Sequence, residues 1–155
     1  MSYTKSVLQP NEQIVMIGRL HWVIYIQAIL ILIVGTILVI AEIVMTSDTV
    51  RTVVVWSTVI VFGGGFLISL VHAWFIRWIT EFAVTNRRVI YKRGFITRHT
   101  AEMNMDKVES VDVDQSMLGR MLGYGTIHVL GTGQGIEHLH RIANPIALRN
   151  AIIAK

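Results

Sequence analysis

Two stretches of this chain hold residue types that chemistry uses. The first is "GTGQG", with glycines at 131, 133 and 135. Glycines so close together suggest a loop whose backbone N–H groups close on a phosphate. A dinucleotide loop needs a strand, then G-x-G-x-x-G, then a helix whose first N–H groups meet the pyrophosphate. Here the spacing is G-x-G-x-G, and the "IEHLHRI" that follows is short and has no helical period. There is no P-loop lysine. Gly131, Gly133 and Gly135 therefore read as the connection of a hairpin, supplying positive φ, and no nucleotide is expected to bind.

The second stretch holds histidines. With the hairpin centred on Gly133, His128 lies opposite His138, and His140 follows on the same face as His138. Three imidazoles on one patch make a ligand set for zinc or copper. The plainer reading is a polar sheet face, whose contacts would respond to pH near neutrality. His21 and His72 suggest a bis-histidine haem, but two helices enclose a haem poorly and His21 reads as interfacial. No cofactor is expected. Catalytic sets are poor: Ser110 and Ser116 lie in no nucleophile motif, and the chain has no cysteine. Asp106, Glu109, Asp112 and Asp114 are explained as solvated charge on a strand face and a turn. An enzyme is not expected, and neither is nucleic-acid binding, because no aromatic row interleaves the basic residues.

The elements that would carry these residues are of two kinds. Of the 155 residues 53% are hydrophobic and 15% charged, and the mean hydropathy is +0.56. The apolar residues concentrate in "WVIYIQAILILIVGTILVIAEIVM" (22–45) and "VVVWSTVIVFGGGFLISLVHAWFIRW" (53–78). A helix as long as the first rises about 36 Å, and a bilayer core of about 30 Å takes roughly 20 residues. The short link predicts an antiparallel hairpin of two transmembrane helices. A cleaved signal peptide is not expected, because the apolar run starts late and is too long.

The link carries Arg51 alone, and the N-terminal flank carries Lys5 and Arg19. Arg77, Arg87, Arg88, Lys92, Arg93 and Arg98 follow the second span. This asymmetry predicts that both termini are cytoplasmic, with Trp22, Trp74 and Trp78 at that interface. The same six basic residues are candidates for contact with anionic lipid head groups. Gly63, Gly64 and Gly65, with Gly35, suit close helix packing. Glu42 lies near the outer end of the first span. It either reaches the interface or is a buried acid, which would mark function.

Past Trp78 the period changes to two. Phe82 and Val84 alternate with Glu81 and Ala83. Val89 and Tyr91 alternate with Arg88, Ile90 and Lys92. Ala101, Met103 and Met105 oppose Glu102 and Asn104. Val111 and Val113 oppose Asp112 and Asp114, and Ile127 and Val129 flank His128. One wet face is expected, hence an antiparallel sheet. "SMLGRMLG" reads as a helical turn between strands. "NPIALRNAIIAK" reads as a helix with Asn144 as N-cap, Pro145 at its first position, and Leu148, Ala151 and Ile152 on one face.

The stretch "FAVTNRRVIYKRGFITRHTAEMNMDKVESVDVDQSMLGRMLGYGTIHVLGTG", followed by "RIANPIALRNAI", closely resembles the bacterial membrane proteins with a pleckstrin-homology-like (PH-like) domain. The upstream "LQPNEQIVMIGRLHW" is similar to that family's lead-in to its two spans, with Asn11 where glycine is more usual. The resemblance covers nearly the whole chain. It implies a small, partly open antiparallel barrel closed at one end by the C-terminal helix, and no established enzymatic activity, the family being largely uncharacterised. Eukaryotic phosphoinositide binders hold the head group in a basic loop between their first two strands; here that loop is only "TNRR", too short to enclose an inositol ring.

The expected whole is an α+β membrane protein: an N-terminal segment (1–21), the transmembrane hairpin (22–78) and a PH-like β-barrel domain (79–155), in the cytoplasmic membrane of a bacterium. The expected function is a self-associating interaction or scaffold module whose partners are itself, another membrane protein and membrane lipids. A lipid-handling protein and an accessory subunit of a larger membrane complex are the alternatives.

Overall fold

The computed structural model describes residues 7–45, 48–94, 99–132 and 136–154, with side chains except at 48–49 and 136–138. The chain forms two compact units, one of Ile24–Phe75 and the other of Met1–Val23 with Ile76–Lys155.

Strand order in the second unit follows from alternation. In β6 (Tyr124–Gly131), Ile127 and Val129 are buried while Thr126 and His128 face outward. The same period places Phe82 and Val84 of β2 (Glu81–Thr85) beside Val89 and Tyr91 of β3 (Arg88–Arg93), through the register Phe82↔Tyr91 and Val84↔Val89. β4 (His99–Asn104) adds Met103 opposite Val89. β5 (Val108–Asp114) adds Val111 opposite Val129, and β7 (Ile136–Ala143) adds Leu139 and Ile142. These side chains form one core with Leu148 and Ile152 of the C-terminal helix α4 (Pro145–Ile153).

A strand also forms where the sequence showed no clean alternation. β1 (Ile14–Gly18) lies upstream of both long helices and pairs antiparallel with β2, Met16 opposite Val84 and Gly18 opposite Phe82. The domain is thus discontinuous in sequence, with the helical hairpin inserted between its first two strands. Sheet order is β1-β2-β3-β4 and β5-β6-β7. The strands do not close into the expected barrel. Residues 19–21 stitch the two sheets instead: Leu20 bridges Ile142, the His21 N–H donates to the Arg141 carbonyl (2.7 Å), and the Ala143 N–H donates to the Arg19 carbonyl (2.9 Å).

Two further expectations change. Ala83 and Ile90, read as outward-facing, are cross-strand partners at 0% and 1% exposure, so β2 and β3 are covered on both faces. Asn144 occupies the N-cap position of α4 but makes no side-chain cap. It is left-handed (φ 50°), and its N–H donates to the Gly123 carbonyl at 2.9 Å. Pro145, Leu148 and Ile152 are buried as the pattern required.

What binds the N-terminal segment to β2 and β3 is a buried ion pair. Arg88 donates from Nε to Glu12 Oε1 (3.0 Å) and from Nη2 to Glu12 Oε2 (2.9 Å). Its Nη1 donates to Glu102 Oε2 (2.7 Å), and Nη2 also reaches the Val7 carbonyl (2.8 Å). Thr85 Oγ1 donates to Glu12 Oε1 (2.7 Å), and the Gln9 N–H donates to Oε2 (2.8 Å). The Glu12 side chain has no exposed area.

In the hairpin unit, α1 (Ile26–Met45) follows a 3-10 turn at Trp22–Tyr25, and α2 runs from Asp48 to Ile79. α2 therefore starts earlier than the expected second span, and most of the expected link is helical. Both apolar stretches, Trp22–Met45 and Val50–Ile79, are long and apolar enough to cross a membrane. Only 11% and 0% of their most apolar windows are buried, unlike the core helices of a soluble protein. The helices run antiparallel, with Ile31 near Gly65, Gly35 on Phe62 and Glu42 bonded to Thr58. A Cβ at Gly35 would stand 2.6 Å from Phe62 Cβ, so only glycine permits this approach. A Cβ at Gly65 would meet Ile31 at an ordinary 3.7 Å, and at Gly63 or Gly64 it would meet nothing within 4 Å. Thr36 and Ser57 spend their hydroxyls on carbonyls of their own helices, at Leu32 (2.8 Å) and Val54 (2.7 Å).

Two measurements test this packing. Burial raises the Glu12 carboxyl, but the hydrogen bonds from Arg88, Gln9 and Thr85 outweigh it and hold the pKa at about 2, against 4.5 for a free glutamate. A depressed carboxylate contributes stability that is present above pH 4.5 and lost as pH falls toward 2. Acid unfolding of the native chain in detergent should steepen in that window, and Glu12→Gln should be destabilised at neutral pH and lose that dependence. Identical acid profiles for the two would remove the ion pair from its place in the fold. In the hairpin, Gly35→Leu should lower stability in a mixed-micelle unfolding assay by about 1–3 kcal/mol through overpacking on Phe62. Gly63→Ala and Gly64→Ala should stay within about 0.5 kcal/mol; equal losses at all three glycines would contradict this arrangement.

Candidate functional site

The basic strip, contiguous in sequence, is divided by the fold. The turn at Asn86 and Arg87 reverses the chain, so Arg87 and Arg88 lie at one end of the β2–β3 pair and Lys92 and Arg93 at the other. The separation along β3 is roughly 16 Å at strand rise. Lys92 and Arg93 are at the end where α2 leads into β2, and Lys92 sits opposite Glu81, an opposite-charge cross-strand pair. Arg77 is exposed in the last turn of α2, and Arg87 and Arg93 are also exposed. Arg98 lies outside the described residues.

Arg88 must be withdrawn as a head-group contact. Its side chain is 11% exposed and its donors are taken by Glu12, Glu102 and the Val7 carbonyl. Ion pairing and hydrogen bonding with Glu12 hold it protonated more firmly than a free arginine. A buried arginine and its exposed neighbour look alike in the sequence, because the partner of Arg88 is remote along the chain.

His128 and His140 sit on the outer face of the second sheet, in a register that differs from a plain hairpin. Gly125 pairs with Ile142, Ile127 with Leu139 and Val129 with Ile136, so β7 carries an extra residue at each step. Arg141, with φ 57°, lies in the first of these bulges. His128 Nε2 is 3.1 Å from Asp114 Oδ2, and His140 Nδ1 is 3.4 Å from Thr126 Oγ1. The side chain of His138 lies outside the described residues, as do Gly133 and Gly135 of the hairpin tip. Among the described residues, no three of His, Asp and Glu gather as a metal site. His21 is held locally: its ring stacks on Tyr124 (5.4 Å between centroids, 27° between planes), and its Nδ1 accepts from the Val23 N–H at 3.2 Å.

Glu42 is half-buried between the hairpin helices. Its Oε1 accepts from Thr58 Oγ1 at 2.6 Å, and its Oε2 is shielded from solvent without a hydrogen bond. Beside this pair an apolar cleft runs past Leu32, Gly35, Thr36, Val39 and Phe62.

One surface was missed. Helix α3 (Met117–Leu122) is the helical turn expected between strands, and it also carries four exposed large apolar side chains, Met117, Leu118, Met121 and Leu122. Their spacing of four residues was the available signal. Two open clefts flank this region. One is lined by Gln115, Arg120, Asn144 and Asn150, the other by Asp114, Tyr124, Thr126 and Arg141. Such an array offers apolar and cationic contact.

The family model described as Bacterial PH domain matches residues 13–154. No curated protein and no solved structure matches the chain. The family match takes in β1, both long helices and every later strand, so the inserted hairpin is part of what is matched: the chain belongs to the bacterial PH domain family.

Proposed function

We propose that this protein is a non-enzymatic, membrane-anchored interaction module, held by its helical hairpin at the cytoplasmic face of the bacterial inner membrane and associating with itself or with another membrane protein. The observation that carries the reading is the pairing of β1 with β2. The two strands flank the hairpin and are hydrogen-bonded neighbours, so a chain that leaves their side of a bilayer must come back to it. That supports two crossings with both termini on one side, and the positive-inside asymmetry selects the cytoplasm. Bacterial PH domain proteins are generally non-catalytic, which supports the non-enzymatic part of the reading. Gly63 and Gly64, open to the hairpin's surroundings, suit close approach by a further helix.

Lipid contact is a subsidiary reading. Arg77 and Arg93 are exposed near the junction of α2 and β2, and each gains about 1 kcal/mol beside an anionic leaflet. This attraction would orient the domain, since the hairpin already anchors it.

The chain has no native cysteine, so single labels are clean. Ser47→Cys should react with an impermeant maleimide from the periplasmic side, and Glu109→Cys only after the membrane is opened. Labelling of both from one side would sink the hairpin topology. Mild-detergent extraction should give a homo-oligomer or a fixed complex; a bare monomer would remove the association half. Replacing Arg77 and Arg93 with glutamine should broaden spin-label distances between domain and hairpin in anionic lipid, while Arg87→Gln should not. Identical distributions in anionic and neutral lipid would leave the strip a solvated face.

A further inference from the structure

α3 is built to present its apolar side chains outward. Ser116 caps its start, accepting from the Gly119 N–H at 3.1 Å, and Gly123, left-handed at φ 76°, ends it. Gly119 is the residue turned inward: a Cβ there would stand 2.7 Å from the Tyr124 carbonyl oxygen, so no bulkier side chain fits that face. With the glycine against β6, Met117 and Met121 stand 86% and 82% exposed, and Leu118 and Leu122 stand 64% and 43% exposed. Four large apolar side chains on a helix of six residues form a patch of the kind that marks a contact surface.

The domain's own contacts say at which end of it this patch lies. Tyr124 begins the strand that follows α3, and its ring stacks on His21. The His21 ring lies 5.4 Å from that of Trp22, where the first membrane-length apolar stretch begins. A second route gives the same end. β1 runs toward the hairpin with Gly18 opposite Phe82, next to the point where the chain returns from α2, and Leu20 bridges Ile142 near the Tyr124↔Ala143 pair. Thus α3 lies at the end of the domain from which both arms of the hairpin depart. The charges agree: within 19–23 and 117–124 the only charged residues are Arg19 and Arg120, and both are exposed.

We propose that α3 is a lipid-inserting wedge. Met117, Leu118, Met121 and Leu122 dip into the head-group and upper acyl region of the bilayer that holds the hairpin, with Arg120 at the anionic head groups. The inference rests on the membrane anchoring argued above. The domain is then fastened at a third point, independent of the two chain connections.

The test uses the full chain in vesicles of phosphatidylethanolamine and phosphatidylglycerol, with single cysteines carrying an environment-sensitive dye at Met121, at Arg87 and at Ile60 in α2. The Met121→Cys label should be quenched by lipids bearing a nitroxide high on the acyl chain and protected from iodide. The Arg87→Cys label should show the reverse. Polar replacement of Met117 and Leu118 should cut the lipid quenching at position 121 several-fold without moving the thermal midpoint, since both side chains are exposed. Iodide access at 121 equal to that at 87 would overturn the wedge. So would a label at 121 shielded from iodide but untouched by lipid nitroxides, which would assign the patch to a protein partner or a second copy. The Ile60→Cys label separates the two readings. If it is quenched by lipid and position 121 is not, the wedge fails alone; if it is not quenched, the anchoring reading fails and takes the wedge with it.

Discussion

The carboxylate of Glu12 and the guanidinium of Arg88 are 76 residues apart in sequence and share two parallel hydrogen bonds. Burying such a pair costs desolvation, and a well-packed apolar replacement is often as stable. What the pair supplies here is register. Glu12 accepts from Arg88, Thr85 and the Gln9 backbone at once, a geometry met at only one alignment of β1 on β2. A slip of one residue would turn every side chain of β1 to the other face and leave a buried charge unpaired. The discontinuous domain depends on that alignment, because no short turn joins its first two strands.

From this alignment the rest follows in order. β1 in register carries residues 19–21 onto β7, which joins the two sheets at one corner. The corner sets His21 on Tyr124 and the end of α3 beside it. The core of Phe82, Val84, Ile127 and Leu148 fills the space between sheets that are fixed by pairing at this seam.

Much of the architecture was legible in the sequence, for physical reasons. The long apolar helices were legible because runs such as 22–45 hold almost no polar residue over a length that could cross a membrane. β5 and β6 were legible because one face of each is wet, so Val111 and Ile127 alternate cleanly with Asp112 and His128. β1 was not, because "IVMIG" is apolar at every position but the last and Val15 and Ile17 are exposed all the same. Ala83 and Ile90 misled for the opposite reason: their strands are covered on both sides, and a doubly covered strand shows no period of two. The pairing of Arg88 with Glu12 could not be read, since nothing local distinguishes Arg88 from Arg87. The short α3 was seen as an element but not as a surface, because exposure depends on which face Gly119 turns inward.

The insertion of the hairpin between β1 and β2 has a consequence for biosynthesis. β1 leaves the ribosome first and cannot pair until β2 emerges, after the whole of α1 and α2 has been made. Until then its edge and the Glu12 carboxylate wait unsatisfied. A chain whose hairpin crossed only once would leave the two strands on opposite sides of the bilayer, with neither sheet seam nor ion pair able to form. Such a chain would expose an unpaired strand edge and an open core, features that proteases and chaperones act upon. With the hairpin in a bilayer as proposed, completion of the domain would be conditional on a double crossing, and the pairing of β1 with β2 would act as a proofreading step for that topology.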